Sequence, residues 1–199
     1  MSGIVGNNTA RASGVIAGAS ADFVKIATCE VTGSTVASIE IQGCFTSTYD
    51  SYQIHFNRLD FTGNGWLYPL FLDDSNATLT TTYYTKAHKL YGDYNGDSEG
   101  SWNTSNTAGI PLTNTFYSNR DNLTTSGIIY LPDPRSTRTP VDGYKSFWYT
   151  IIGGASGQYW RMDGMCQQSI TTPYGGIQFK GSSQHISVGF KATVYGLKT

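Results

Sequence analysis

Gly96-Asp97-Ser98-Glu99-Gly100 has the G-x-S-x-G form of a hydrolase nucleophile elbow. That motif works only on a sharp turn between a buried strand and a helix, where the serine is held beneath an oxyanion hole. Here KLYGDYN precedes it and the polar run SWNTSNTAG follows. Such a run supplies no helix, so the segment reads as a glycine-rich hairpin loop without a catalytic serine. The same stretch sets Asp93, Asn95, Asp97 and Glu99 at alternate positions, a spacing that can gather hard oxygen ligands around Ca²⁺. An EF-hand needs Gly at its sixth position and Glu at its twelfth, where this chain has Ser98 and Thr104. A calcium site of another geometry stays open beside the plainer reading, in which these side chains cap turns and face water.

Other chemistry is thinner. Asp73-Asp74, Asp60 and Glu40 would serve glycoside hydrolysis only as two carboxylates flanking a groove, and LDDSN around the Asp pair has the composition of a turn. His55, His88 and His185 all fall in predicted strands and lack H-x-H or H-E-x-x-H spacing, so they form no zinc triad. No phosphate-cradling glycine motif occurs. Cys29, Cys44 and Cys166 are an odd set without redox or metal spacing, which points to buried free thiols made in a reducing compartment. No catalytic residue, metal or cofactor is expected.

The aromatic residues are harder to set aside. Trp66, Trp102, Trp148 and Trp160, with Tyr83, Tyr84, Tyr91, Tyr94, Tyr117, Tyr159 and Tyr174, suit sugar platforms or subunit anchors, because an amphipathic ring serves both. Core packing and cross-strand pairing account for most of them. Trp102 stands apart, in a long polar stretch without a strand pattern. For Trp102 core packing and a contact role stay equally open, and with Tyr94 and Tyr117 it is the candidate contact for a glycan or a partner.

The elements that must position these residues are strands. In SYQIHFNRL, Tyr52, Ile54 and Phe56 fall on one face and Gln53, His55 and Asn57 on the other, the period of a half-buried antiparallel strand. HISVGFKATVYGL repeats it, with Ile186, Val188, Phe190, Ala192 and Val194 sharing a face. Further strands are expected near 22–31, 34–41, 66–72, 78–91, 127–131, 144–152, 158–166 and 175–179, separated by Gly-, Asn- and Pro-rich turns. Segments 92–109 and 132–143 read as long loops. About ten short strands with no persuasive amphipathic helix predict an all-β, jelly-roll-like antiparallel sandwich over residues 21–199.

Composition agrees with that class. The 199 residues suit one core, and 14% aromatic residues oppose disorder. Only 14% are charged, with a formal net charge of −1. That gives no electrostatic reason to expect nucleic acid, and so weakly charged a surface favours existence within an assembly. No apolar run is long enough for a membrane span. Asn-x-Ser/Thr triplets begin at Asn7, Asn76, Asn103 and Asn122, a chance harvest in a chain so rich in these residues.

Residues 1–20, MSGIVGNNTARASGVIAGAS, do not form a secretory signal. Arg11 follows the first apolar pair, and no apolar core comes after it. Ile4-Val5 and Val15-Ile16 are two small apolar anchors on a glycine-rich tether, which extended would reach roughly 65 Å. The segment reads as an attachment arm through Ile4, Val5, Arg11, Val15 and Ile16.

STYDSYQIHFNRL (47–59), GIIYLPDP (127–134), YKSFWYTIIGGASG (144–157) and HISVGFKATVYGLK (185–198) together resemble a β-sandwich module of tail-fibre and other virion proteins of tailed bacteriophages. The matching positions are Tyr49, Asp50, Tyr52, Ile54 and Phe56, then Tyr144-Lys145, then Tyr195-Gly196-Leu197. The opening MSGIVGNN and RASGVI is similar to the starts of small structural proteins of marine phages. The resemblance implies a non-enzymatic virion protein: a short tail fibre, tail appendage, or capsid decoration or spike. It would be assembled in the host cytoplasm as a homotrimer with other virion proteins as partners, and in contact with host polysaccharide where it meets the cell. A carbohydrate-binding receptor module is the alternative, and a polysaccharide depolymerase a more distant one.

Overall fold

The computed structural model describes residues 23–63, 66–81, 83–93, 96–106, 125–137, 145–155 and 158–197. Its strands, in chain order, are β1 (Val24–Glu30), β2 (Ser38–Ile41), β3 (Ser51–Leu59), β4 (Leu67–Leu72), β5 (Tyr83–Asp93), β6 (Gly96–Asn106), β7 (Thr125–Pro132), β8 (Lys145–Ala155), β9 (Gln158–Gln168), β10 (Gly176–Gly181) and β11 (Lys191–Leu197). No helix occurs among the described residues. The strands form an eight-stranded sheet, β1-β11-β3-β7-β8-β9-β5-β6, and a three-stranded sheet, β2-β10-β4. Every named pairing is antiparallel. The chain is an all-β sandwich, as its period-two pattern predicts, with two unequal sheets.

The core lies between them. Tyr52, Ile54 and Phe56 of β3 are all buried, as their alternation requires. Phe179 of β10 packs on Phe56 and Phe190, with ring centroids 6.1 and 5.3 Å apart. Phe71 of β4 meets Phe147 of β8 edge-on at 5.2 Å and stacks on Tyr174 at 4.1 Å. Aromatic rings from both sheets thus fill the space, each removing a large apolar area from water.

Three expectations are corrected. Within the expected loop 92–109, residues 92–93 and 96–106 are strand: β5 and β6 form an eleven-pair ladder from Tyr83↔Asn106 to Asp93↔Gly96. Lacking apolar alternation, β6 is a strand because β5 supplies its hydrogen bonds. Val188 does not share the face of Ile186 and Phe190, for it is half-exposed while both of them are buried. Gly189 has φ +94° and turns the chain there, so β11 begins only at Lys191. His185 accordingly lies outside any strand, unlike His55 in β3 and His88 in β5.

The segments that carried the phage resemblance converge at one end of the sandwich. Tyr49 covers Gly196. The Asp50 amide donates to the Leu197 carbonyl at 3.0 Å, and the Asp133 amide donates to the Asp50 carbonyl at 2.9 Å. Lys145 Nζ donates to the carbonyls of Pro134 (2.9 Å) and Thr172 (2.8 Å) and stands over the Tyr174 ring. Arg135 makes a forked ion pair with Asp74 and donates to the Tyr174 carbonyl at 3.1 Å. These residues clip strand ends and turns together.

Candidate functional site

The face of the large sheet turned away from the small sheet carries most of the exposed large apolar side chains among the described residues. In β8, Lys145, Phe147, Tyr149 and Ile151 are buried, whereas Trp148 and Ile152 are exposed. In β9, Met162 and Cys166 are buried, whereas Tyr159 and Met165 are exposed; in β5, Tyr83, Thr85 and Ala87 alternate with exposed Tyr84, Lys86, His88 and Leu90. Nine large apolar side chains are exposed among the described residues. Six of them, Tyr84, Leu90, Trp148, Ile152, Tyr159 and Met165, stand on this one face of three adjoining strands.

Register orders the face into rows. Directly paired positions run Lys25, Tyr195, Gln53, Tyr130, Trp148, Met165 and Lys86 across seven strands. The next row runs Thr28, Thr193, His55, Ile128, Thr150, Asp163 and His88. Trp148 and Tyr130 stack at 5.4 Å with an interplanar angle of 13°, so each ring fixes the other's orientation. Thr150 Oγ1 donates to Asp163 Oδ1 at 2.7 Å, and Arg161 Nε lies 2.9 Å from Asp163 Oδ2. A shallow depression of about 560 Å³ lies between the rows, lined by Lys86, His88, Trp148, Thr150, Asp163 and Met165 over Ala87, Tyr149 and Gly164. Farther along, His55 bonds Gln53 at 2.9 Å and packs on Tyr195, and burial lowers its pKa from the usual imidazole range.

Of the residues singled out from sequence, Tyr84, His88, Trp148 and Tyr159 stand on this face. Trp102 is in β6 opposite Ala87, Ser98 is in β6 opposite Tyr91, Asp93 ends β5, and Asp97 and Glu99 pair with Gly92 and Leu90. Ser98 thus sits within a ladder, without the strand-to-helix turn of an elbow. Tyr94, Asn95 and Tyr117, and the arm residues Ile4, Val5, Arg11, Val15 and Ile16, are outside the described residues. Among the described residues, no three His, Cys, Asp or Glu side chains gather as a metal site.

The carboxylates considered for hydrolysis are engaged in turns and sheet contacts. Asp73 Oδ1 accepts from the Ser75 amide and hydroxyl and the Ala77 amide at 2.7–2.9 Å, bonds that hold its carboxyl below the usual range. The Arg135 guanidinium does the same for Asp74. Glu40 accepts from Gln42 and Gln178. Burial raises the Asp60 carboxyl, which accepts from the Phe61 amide at 2.8 Å. Cys29, Cys44 and Cys166 are free, with burial pushing their thiols up to about 11, 12 and 12. None is poised as a thiolate nucleophile.

The signal for Trp148 and its neighbours was present in YKSFWYTII, where both sets of alternating positions carry large apolar residues, Phe147, Tyr149 and Ile151 on one and Trp148 and Ile152 on the other. A strand with one buried face and one apolar outer face has that pattern. Fold and surface together define an antiparallel β-sandwich bearing an exposed apolar sheet face. No protein-family model matches the sequence, and no curated protein matches it.

Proposed function

We propose that this chain is a structural protein of a tailed-bacteriophage particle: a short tail fibre, tail appendage, or capsid decoration or spike. It has no enzymatic role in this reading. It assembles as a homotrimer and joins other virion proteins through residues 1–20. The observation that carries the reading is the gathering of six exposed apolar side chains on one rigid sheet face. A monomer rarely exposes so many large apolar side chains on one face unless something docks on it. The low charge and the phage-like segments support the same reading, and three free thiols agree with assembly in host cytoplasm. Antibodies raised against the protein should label intact particles, and a chain lacking residues 2–20 should fold yet be missing from them. Unlabelled particles would overturn the proposal.

A second reading has its own observation. Trp148, held by Tyr130 beside a depression containing Thr150, Asp163 and His88, offers a flat ring next to hydrogen-bonding groups, as a receptor-binding sugar platform would. On this reading Trp148→Ala abolishes binding to host polysaccharide and leaves the melting temperature unchanged. Equal binding by the variant would remove it.

A further inference from the structure

We infer that the outer face of β7, β8, β9 and β5 is the surface on which the next copy of this chain docks. The inference rests on the assembly reading above and names the partner for that face.

Its chemistry favours protein over sugar. Trp148 and Tyr159 suit either ligand, but Leu90, Ile152 and Met165 offer no hydrogen bond to a hydroxyl-rich chain. All three are at least 41% exposed, and covering them with apolar side chains releases their hydration. Aromatic residues, methionine and arginine are also the types enriched at the centres of protein interfaces.

Size is sufficient. Four strands about 4.8 Å apart, β7 to β5, and the nine residues from Tyr159 to Gln167 at about 3.3 Å each give a face of about 19 by 30 Å. That is roughly 570 Å² before side-chain relief, so its burial with a matching area of a neighbour exceeds the roughly 1,000 Å² total of a specific interface.

Charge permits it. Arg161 and Asp163 neutralise one another within the face, which limits the like-charge repulsion that a copy of the same weakly charged chain would meet. A closed ring of identical copies then covers the same patch on each.

Light scattering on the full chain at about 100 µM, where a contact with Kd near 1 µM is almost saturated, tests the inference. The wild type should have a mass of at least twice 21.7 kDa. Trp148→Glu and Ile152→Glu should each reduce it to the monomer with an unchanged far-UV spectrum, while Ser75→Glu, at an exposed turn, should leave the oligomer intact. Hydrogen exchange of the wild type at high and low concentration supplies a readout that needs no variant: β8 and β9 amides should gain protection on concentration. A monomeric wild type, an oligomer untouched by both glutamates, or exchange in β8 and β9 independent of concentration overturns the inference, as does a monomer that binds polysaccharide through Trp148. Particles labelled by antibody but built from a monomeric protein would sink this inference alone, whereas unlabelled particles beside a self-associating protein would sink the virion reading alone.

Discussion

Gly164 of β9 lies directly opposite Tyr149 of β8, and the Tyr149 ring crosses over it so closely that a Cβ at position 164 would fall within 2.7 Å of Cε1. The same relationship recurs between Gly127 and Phe56 and between Gly153 and Trp160, each a directly paired glycine and aromatic. The glycine leaves space on the pleat, and the ring across the ladder fills it. Gly164→Ala should therefore destabilise the fold by about 1–3 kcal/mol, the usual cost of overpacking. This corresponds to a Tm lower by roughly 2–12 °C for a chain of this size. Thermal unfolding checks it, and adding Tyr149→Leu should restore part of the loss because the two sites share one contact.

The hydroxyl of that tyrosine is a different matter. Tyr149 is 1% exposed, and its Oη has no hydrogen-bond partner among the described residues. An unpaired buried hydroxyl costs desolvation free energy that nothing returns. Tyr149→Phe should thus be neutral or stabilising by up to about 1 kcal/mol. Chemical denaturation should show a midpoint at or above that of wild type, and a lower one would mean that the hydroxyl has a partner.

Much of the architecture was legible because β3 alternates from Ser51 to Phe56, a pattern that only one register satisfies when one face is buried. β6 was illegible for the converse reason. GDSEGSWNTSN contains one large apolar residue, so its strand character comes from pairing with β5 and not from local pattern. The run through Ile186, Val188 and Phe190 misled because period two says nothing about a positive φ at Gly189. The candidate face was hidden by a different ambiguity. Large apolar residues on both alternating sets of FWYTII suit a strand buried on both sides as well as one with an apolar outer face, and only the position of β8 within the large sheet distinguishes them.

Thiol reactivity should follow burial. Cys44 and Cys166 are 1% and 0% exposed with thiols pushed up to about 12, while Cys29 is partly exposed with a thiol near 11. Because the thiolate is the reactive species, native alkylation at pH 8 should be slow at all three and fastest at Cys29. Peptide mass spectrometry over a time course measures the order. Prior modification of Cys166 would contradict the packing described for β9.

Lys145 makes stability depend on pH. Burial lowers its ammonium from 10.5 to about 8, although Pro134 and Thr172 carbonyls accept from it. Between those values the unfolded chain binds the proton that the folded chain has released, so stability from this group rises with pH from about 8 towards 10.5. Below pH 8 both states hold the proton, and the contribution is flat at its lower level. Lys145→Met removes the titration and strands two carbonyls, an expected cost of about 2–4 kcal/mol at neutral pH. The Tm difference between wild type and Lys145→Met should therefore widen from pH 7.5 to 9.5. A difference constant over that range would show that the two carbonyls and the Tyr174 ring hold the charged form against burial.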